Sequence, residues 1–67
     1  MIRVNGRERE AAPGATVAQL VAELGVPAGG RGVAVALDGE VVPRGAWERT
    51  PVPDGAAVEI VTAVQGG

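Results

Sequence analysis

One apolar stripe decides most of what this chain can become. Val17, Leu20, Val21 and Leu24 fall at i, i+3, i+4 and i+7, the spacing that lines a single face of a helix. Thr16 precedes the stripe and Gln19 stands three residues on, the T-x-x-Q form of a capping box. In such a box the hydroxyl accepts from the third helical amide while the glutamine reaches back. Gly25 supplies a left-handed residue at the far end, and Pro27 prevents the helix from resuming. The spacing predicts a helix over about residues 16–24. A helix apolar on one face must bury that face against something else.

The rest of the chain reads as strands. Ile2, Arg3 and Val4 alternate, and Asn5-Gly6 follows as a hairpin signal, because a type I′ turn needs positive φ at both central residues. Residues 7–11 read as the returning strand. The alternating charges of Arg7, Glu8, Arg9 and Glu10 suit a sheet edge that must resist pairing with other chains. Pro13-Gly14 breaks that strand. Residues 27–32, "PAGGRG", read as a surface connection, since they lack the lysine and the following helix of a phosphate-binding loop.

In "VAVAL" (33–37), Val33, Val35 and Leu37 face one side and Ala34 and Ala36 the other. The larger set belongs in the core, which leaves the alanine face shallow and smooth. Asp38-Gly39 predicts a second hairpin, a short strand covers residues 40–42, and Pro43 ends it. Residues 44–53 are too rich in Pro and Gly for a long element, so one helical turn is expected around residues 46–48. Trp47 is expected to close an edge of the core, its indole N–H finding an acceptor, with a partner-binding Trp as the alternative. Asp54-Gly55 launches a last strand over residues 57–63, with Val58 and Ile60 toward the helix and Glu59, Val61 and Ala63 toward the open face.

The order is strand, strand, helix, strand, strand, strand. A helix that follows a hairpin and crosses to another strand packs on one face of their shared sheet. The expectation is an α+β, ubiquitin-like β-grasp: a mixed sheet of about five strands with one packed helix. The last strand lies centrally and parallel to the first. The body spans residues 1–64, and residues 65–67 form a tail.

Composition narrows the chemistry. The chain has no Cys, His, Ser, Lys or Tyr, and its side-chain hydroxyls are Thr16, Thr50 and Thr62. Disulfides, cysteine-bound metals and the commonest general base are absent. Nucleophilic catalysis has almost nothing to use, and the eight acids are scattered, mostly beside Arg or Gly. The chain is therefore expected not to be an enzyme. A net charge of −2, no basic cluster and a single aromatic residue argue against nucleic acid. "MIRVNG" lacks a signal-peptide run, and no apolar stretch approaches membrane-spanning length, so the expectation is a cytoplasmic protein without membrane contact. Arginine without lysine, among many Ala, Val and Gly, fits a GC-rich genome.

The sequence closes on "EIVTAVQGG". Gly66 and Gly67 have no Cβ, so such a tail can thread a narrow tunnel and present a carboxylate that another protein's active site encloses. Two adjacent glycines at a frayed end would look the same.

The chain as a whole resembles the bacterial sulfur carrier proteins of thiamine biosynthesis. The likeness covers nearly all 67 residues. It is carried by the early "VNG", by "TVAQLVAELGV", by "VAVALDGEVVPRGAW" and by the ending "DGAAVEIVTAVQGG". Ala56 stands where members often have a second acid, which bears on the turn and not on the chemistry.

The resemblance implies that the carboxylate of Gly67 is adenylated, converted to a thiocarboxylate and used to donate sulfur. No cofactor would be bound by the chain itself. ATP and Mg²⁺ would be used by an adenylyltransferase related to ubiquitin-activating enzymes, sulfur would come indirectly from a cysteine desulfurase, and thiazole synthase would accept it. Gly66 would give clearance, and Val64 and Gln65 would lead the tail into partner clefts. Ala34, Ala36 and Val61 on the open face form the candidate docking patch; ordinary small surface residues would look alike. A sulfur carrier of the molybdopterin or cysteine type, a β-grasp binding module without chemistry, and a modifier joined to lysines remain as alternatives.

Overall fold

The computed structural model describes residues 1–25 and 32–62. Among these residues seven elements follow in order: β1 (Ile2–Val4), β2 (Arg7–Arg9), α1 (Val17–Glu23), β3 (Val33–Leu37), β4 (Glu40–Val42), a 3₁₀ helix (Arg44–Arg49) and β5 (Ala57–Thr62). The strands form one sheet in the order β2-β1-β5-β3-β4. β5 lies in the middle, parallel to β1 and antiparallel to β3. This is the mixed, helix-bearing sheet that the element order predicts.

Both hairpins are made by their dipeptides. Asn5 and Gly6 have φ of 50° and 83°, and Asp38 and Gly39 have 48° and 87°. Positive φ at both central positions is what a type I′ turn requires, and Asn, Asp and Gly adopt it at least cost. β2 stops at Arg9 rather than running through residue 11. Arg9 sits opposite Ile2, and there the pairing ends. Met1, like Arg3 and Asn5, turns its backbone to the other side, where its carbonyl accepts from Gly55 N–H at 2.9 Å.

The capping box at α1 is complete. Gln19 N–H donates to Thr16 Oγ1 at 3.3 Å, and Thr16 N–H donates to Gln19 Oε1 at 2.9 Å. Such a cap contributes about 1 kcal/mol. Gly25 takes φ of 74° and its N–H reaches Ala22 O at 3.2 Å, ending the helix as expected. The start of α1 is tied down a second time, because Val17 N–H donates to Thr50 O and Val52 N–H to Ala15 O.

The core lies between α1 and one face of the sheet. Val17, Leu20 and Val21 meet Ile2, Val4, Val35, Val42 and Val58, and Trp47 and Val52 close its edge. Val17, Val35 and Val58 are fully enclosed. Burying a valine side chain is worth about 1.5–3 kcal/mol. The 3₁₀ helix is longer than the single turn expected. Thr50 Oγ1 donates to Ala46 O at 2.6 Å and Arg49 to Gly45 O at 3.1 Å, which hold the extra turn. Trp47 Nε1 donates to Val42 O at 2.9 Å, so its polar edge is satisfied inside the core.

Candidate functional site

The face of the sheet away from α1 is open, and register fixes what stands on it. In antiparallel pairs, directly opposed residues share a face. Ala36 is opposite both Val41 and Glu59, and Ala34 is opposite Val61. Nearer the start of β5, Arg3 is opposite Ala57 and Glu8. Three rows therefore cross the face. The first is Glu8, Arg3 and Ala57; the second is Glu59, Ala36 and Val41; the third is Val61 and Ala34. The rows grow less polar along β5 toward its C-terminal end.

Val41 and Val61 are 74% and 62% exposed, and the alanines between them are exposed or half-buried. Single exposed apolar residues mean little. Here two valines flank two alanines on neighbouring strands, which makes a contiguous smooth area. The structure thus brings together Ala34, Ala36 and Val61, the expected patch residues, and adds Val41. The signal for Val41 was present in the sequence: a two-residue Asp38-Gly39 turn forces residue 41 opposite residue 36. Ala36 is the least open of the four.

The patch lies toward the C-terminal end of β5. Val61 and Thr62 pair only with β3, because β1 has already turned away at Asn5. Val64, Gln65, Gly66 and Gly67, the tail residues singled out by sequence, lie outside the described residues, as does Ala63.

The sequence reading assigned Asn5 to its turn alone, and the structure gives it a second task. Its Nδ2 donates to Ile60 O at 3.1 Å and its Oδ1 accepts from Ile60 N–H at 2.8 Å. Asp38 makes a similar hold at the other end of β5. Its backbone N–H donates to Ala57 O at 2.7 Å, and its Oδ1 accepts from Ala57 N–H at 2.9 Å. Neither contact could be read from local pattern, since Asn5 and Ile60 are 55 residues apart.

The perturbed titratable groups lie elsewhere. The Met1 ammonium bonds the Asp54 carboxylate, and this hydrogen bond, aided by the attraction of the two charges, raises the ammonium pKa and lowers that of Asp54. Asp54 also borders a shallow hollow of about 300 Å³ between Pro13 and Pro51–Pro53. Its carboxylate is occupied by the ammonium, and the other lining residues carry no titratable side chain. Among the described residues no three Asp or Glu side chains converge as a metal site would need, and no helix is long and apolar enough to cross a membrane.

Comparisons with known proteins agree with this geometry. The model of the ThiS family matches residues 2–67. The crystal structure of a thiamine biosynthesis protein (ThiS) from Geobacter metallireducens superposes with a TM-score of 0.78 at 38% identity, covering 98% of this chain and 97% of that one. A solution structure of a thiamine biosynthesis protein from the same organism gives 0.80 at 37% identity, covering 98% and 86%. A thiazole synthase of Paramagnetospirillum magneticum is 41% identical over 64 residues, which are 96% of this chain and 19% of that protein. The chain thus spans about a fifth of the length of this curated relative.

Proposed function

From the premise that the chain belongs to the ThiS family, we propose that it is the sulfur carrier of thiamine biosynthesis and that the carboxyl group of Gly67 is its working group. The observation that carries this reading is the placement of the smooth patch at the tail end of β5. A partner that docks on Val41, Ala36, Ala34 and Val61 sits beside the point where the last residues depart. Binding the body then makes capture of the tail an intramolecular event, which raises its effective concentration.

The chemistry requires little of the chain. In the active site of an adenylyltransferase, a carboxylate oxygen of Gly67 attacks the α-phosphorus of ATP and pyrophosphate leaves. AMP turns a poor leaving group into a good one. The terminal sulfur of a persulfide, drawn from cysteine by a desulfurase, attacks the acyl carbon and expels AMP. A thiol then cleaves the sulfur–sulfur bond, taking up the partner sulfur as a disulfide and leaving the thiocarboxylate on Gly67. Thiazole synthase receives that sulfur, and an oxygen from the acceptor or from water takes its place on the acyl carbon, which regenerates the carboxylate. The likeness of a whole-chain segment to part of a thiazole synthase supports this partner.

Gly66 and Gly67 supply clearance for the enclosing site, and Gln65 and Val64 lead into it. ATP and Mg²⁺ belong to the activating partner. The chain brings no nucleophilic Cys, Ser or Lys of its own, as suits a cosubstrate whose terminus alone reacts.

The test is thiazole formation by thiazole synthase supplied with the thiocarboxylated chain. Product is expected with the full chain and none with a chain lacking Gly67, while both unfold at the same temperature. Equal product from the shortened chain refutes the reading. A thiocarboxylated chain that serves only a different acceptor moves it to another sulfur pathway.

A further inference from the structure

We propose that Asn5 is a positioning residue that pins the tail end of β5 from the β1 side and so aims the reactive tail. The inference rests on the reading of Gly67 as the working group. β1 and β5 share a parallel ladder in which Arg3 N–H donates to Ala56 O and Asn5 N–H to Val58 O, both at 2.9 Å. The next residue of β5 to face that side is Ile60. β1 no longer runs beside it, because the chain turns back at Asn5-Gly6. The Asn5 carboxamide fills the gap. A carboxamide presents the same donor and acceptor as a peptide group, and here it satisfies both the N–H and the C=O of Ile60. It acts as one further rung of the ladder, made from a side chain.

This rung is the last hold on β5 from the β1 side among the described residues. Seven residues, 61–67, follow Ile60 up to and including Gly67. Extended, they reach at most about 23–25 Å, at roughly 3.3–3.6 Å per residue. With that rung lost, the end of β5 is held by β3 alone, and the start of the tail can shift by about one residue rise. The carboxylate must meet a partner's reacting phosphate while the patch at Val61 and Ala34 holds the body. A misplacement of that size is costly in such a two-point fit. The turn alone does not explain a carboxamide here, since Asp or Gly would also accept positive φ. Only Asn offers both a donor and an acceptor to Ile60.

The Asp38 hold on Ala57 supplies an internal control. It also grips β5 through a turn residue, but at the end remote from the tail. Asn5→Gly and Asp38→Gly each keep their turn and each lose side-chain bonding to β5. Asn5→Asp keeps the acceptor and loses the donor.

The experiment measures hydrogen exchange of the Ile60 and Ala57 amides together with steady-state adenylation of the full chain by its activating enzyme, read as pyrophosphate release. Asn5→Gly is expected to speed Ile60 exchange about tenfold, the size of a lost pair of modest hydrogen bonds. It is expected to lower kcat about tenfold with KM unchanged, because the docking patch is intact. Asn5→Asp should fall between Asn5→Gly and the unaltered chain. Asp38→Gly is expected to speed exchange at Ala57 and leave adenylation unaltered.

Equal losses of kcat in Asn5→Gly and Asp38→Gly would mean that general loosening is responsible, and would overturn the proposal. So would an unaltered kcat in Asn5→Gly with faster Ile60 exchange, or no change in that exchange. If the unaltered chain is not adenylated at all, the functional reading falls and the positioning role falls with it. Exchange at Ile60 still reports separately whether the carboxamide grips the strand.

Discussion

Val58 and Val61 are the same residue type, three positions apart on one strand, yet they are 1% and 62% exposed. Val35 and Val41, on neighbouring strands, differ in the same way at 1% and 74%. The difference is the face. One side of the sheet is sealed by α1, Trp47 and Val52, and its valines hold the fold together. The other side carries apolar side chains that contribute nothing comparable to stability. Alternation along a strand decides which side a residue takes. Two populations of valine result, one structural and one available to a partner.

The largest effect separates the two populations by stability. Val35→Ala removes two methyl groups from an enclosed site and is expected to cost about 2–3 kcal/mol, read from the urea midpoint. In a domain of this size that is a large share of the total. A cost as small as that of a surface change would show that the helix side is not the core.

The converse substitutions sharpen the contrast. Val61→Asp and Val41→Asp are expected to leave stability within about 0.5 kcal/mol. They should lower kcat/KM for adenylation by about tenfold or more, which is about 1.4 kcal/mol of lost partner contact. Normal turnover in both variants would remove the patch from the account. Val41→Asp is the stricter test, because its strand is separated from β5 by β3.

The smallest effect lies away from both faces. The folded state lowers the Asp54 pKa, so its stabilising contribution is present above the ordinary value of 3.8 and is lost as pH falls through the folded value. The Met1 ammonium pKa is raised, so its contribution is complete below 8.0 and is lost as pH rises through the folded value. For the chain beginning at Met1, Asp54→Asn is expected to lower the thermal midpoint slightly at about pH 6. That difference should shrink as the solution is acidified toward about pH 2. A difference that grows on acidification would contradict the ion pair. Both groups are fully exposed, so solvent screening keeps the effect small.

Much of this arrangement was legible because short-range chemistry dictated it. Asn5-Gly6 and Asp38-Gly39 announce their turns, Thr16 and Gln19 announce the helix start, and a two-residue period sorts Val35 from Ala34. From these the central place of β5 follows by topology. The end of β2 at Arg9 was not legible, because no breaker stands between Arg9 and Pro13. The second turn of the 3₁₀ helix was hidden by the glycine and prolines around it, whose effect the Thr50 and Arg49 bonds offset.

At the candidate site, Ala34, Ala36 and Val61 could be placed by alternation alone. Val41 needed the step from turn length to register. The Asn5 carboxamide on Ile60 is a contact between distant residues with no local signature. Gly66 and Gly67 stand out by what they lack, and that reading rests on chemistry at the terminus.

The most direct measurement is the intact mass of the chain after incubation with ATP, Mg²⁺, the activating enzyme and a persulfide source. Exchange of one carboxyl oxygen for sulfur is expected to add about 16 Da, the mark of acyl activation followed by sulfur transfer. The added mass should map to the C-terminal peptide and be lost when Gly67 is removed. An unchanged mass, or a sulfur found on any other residue, would contradict the account.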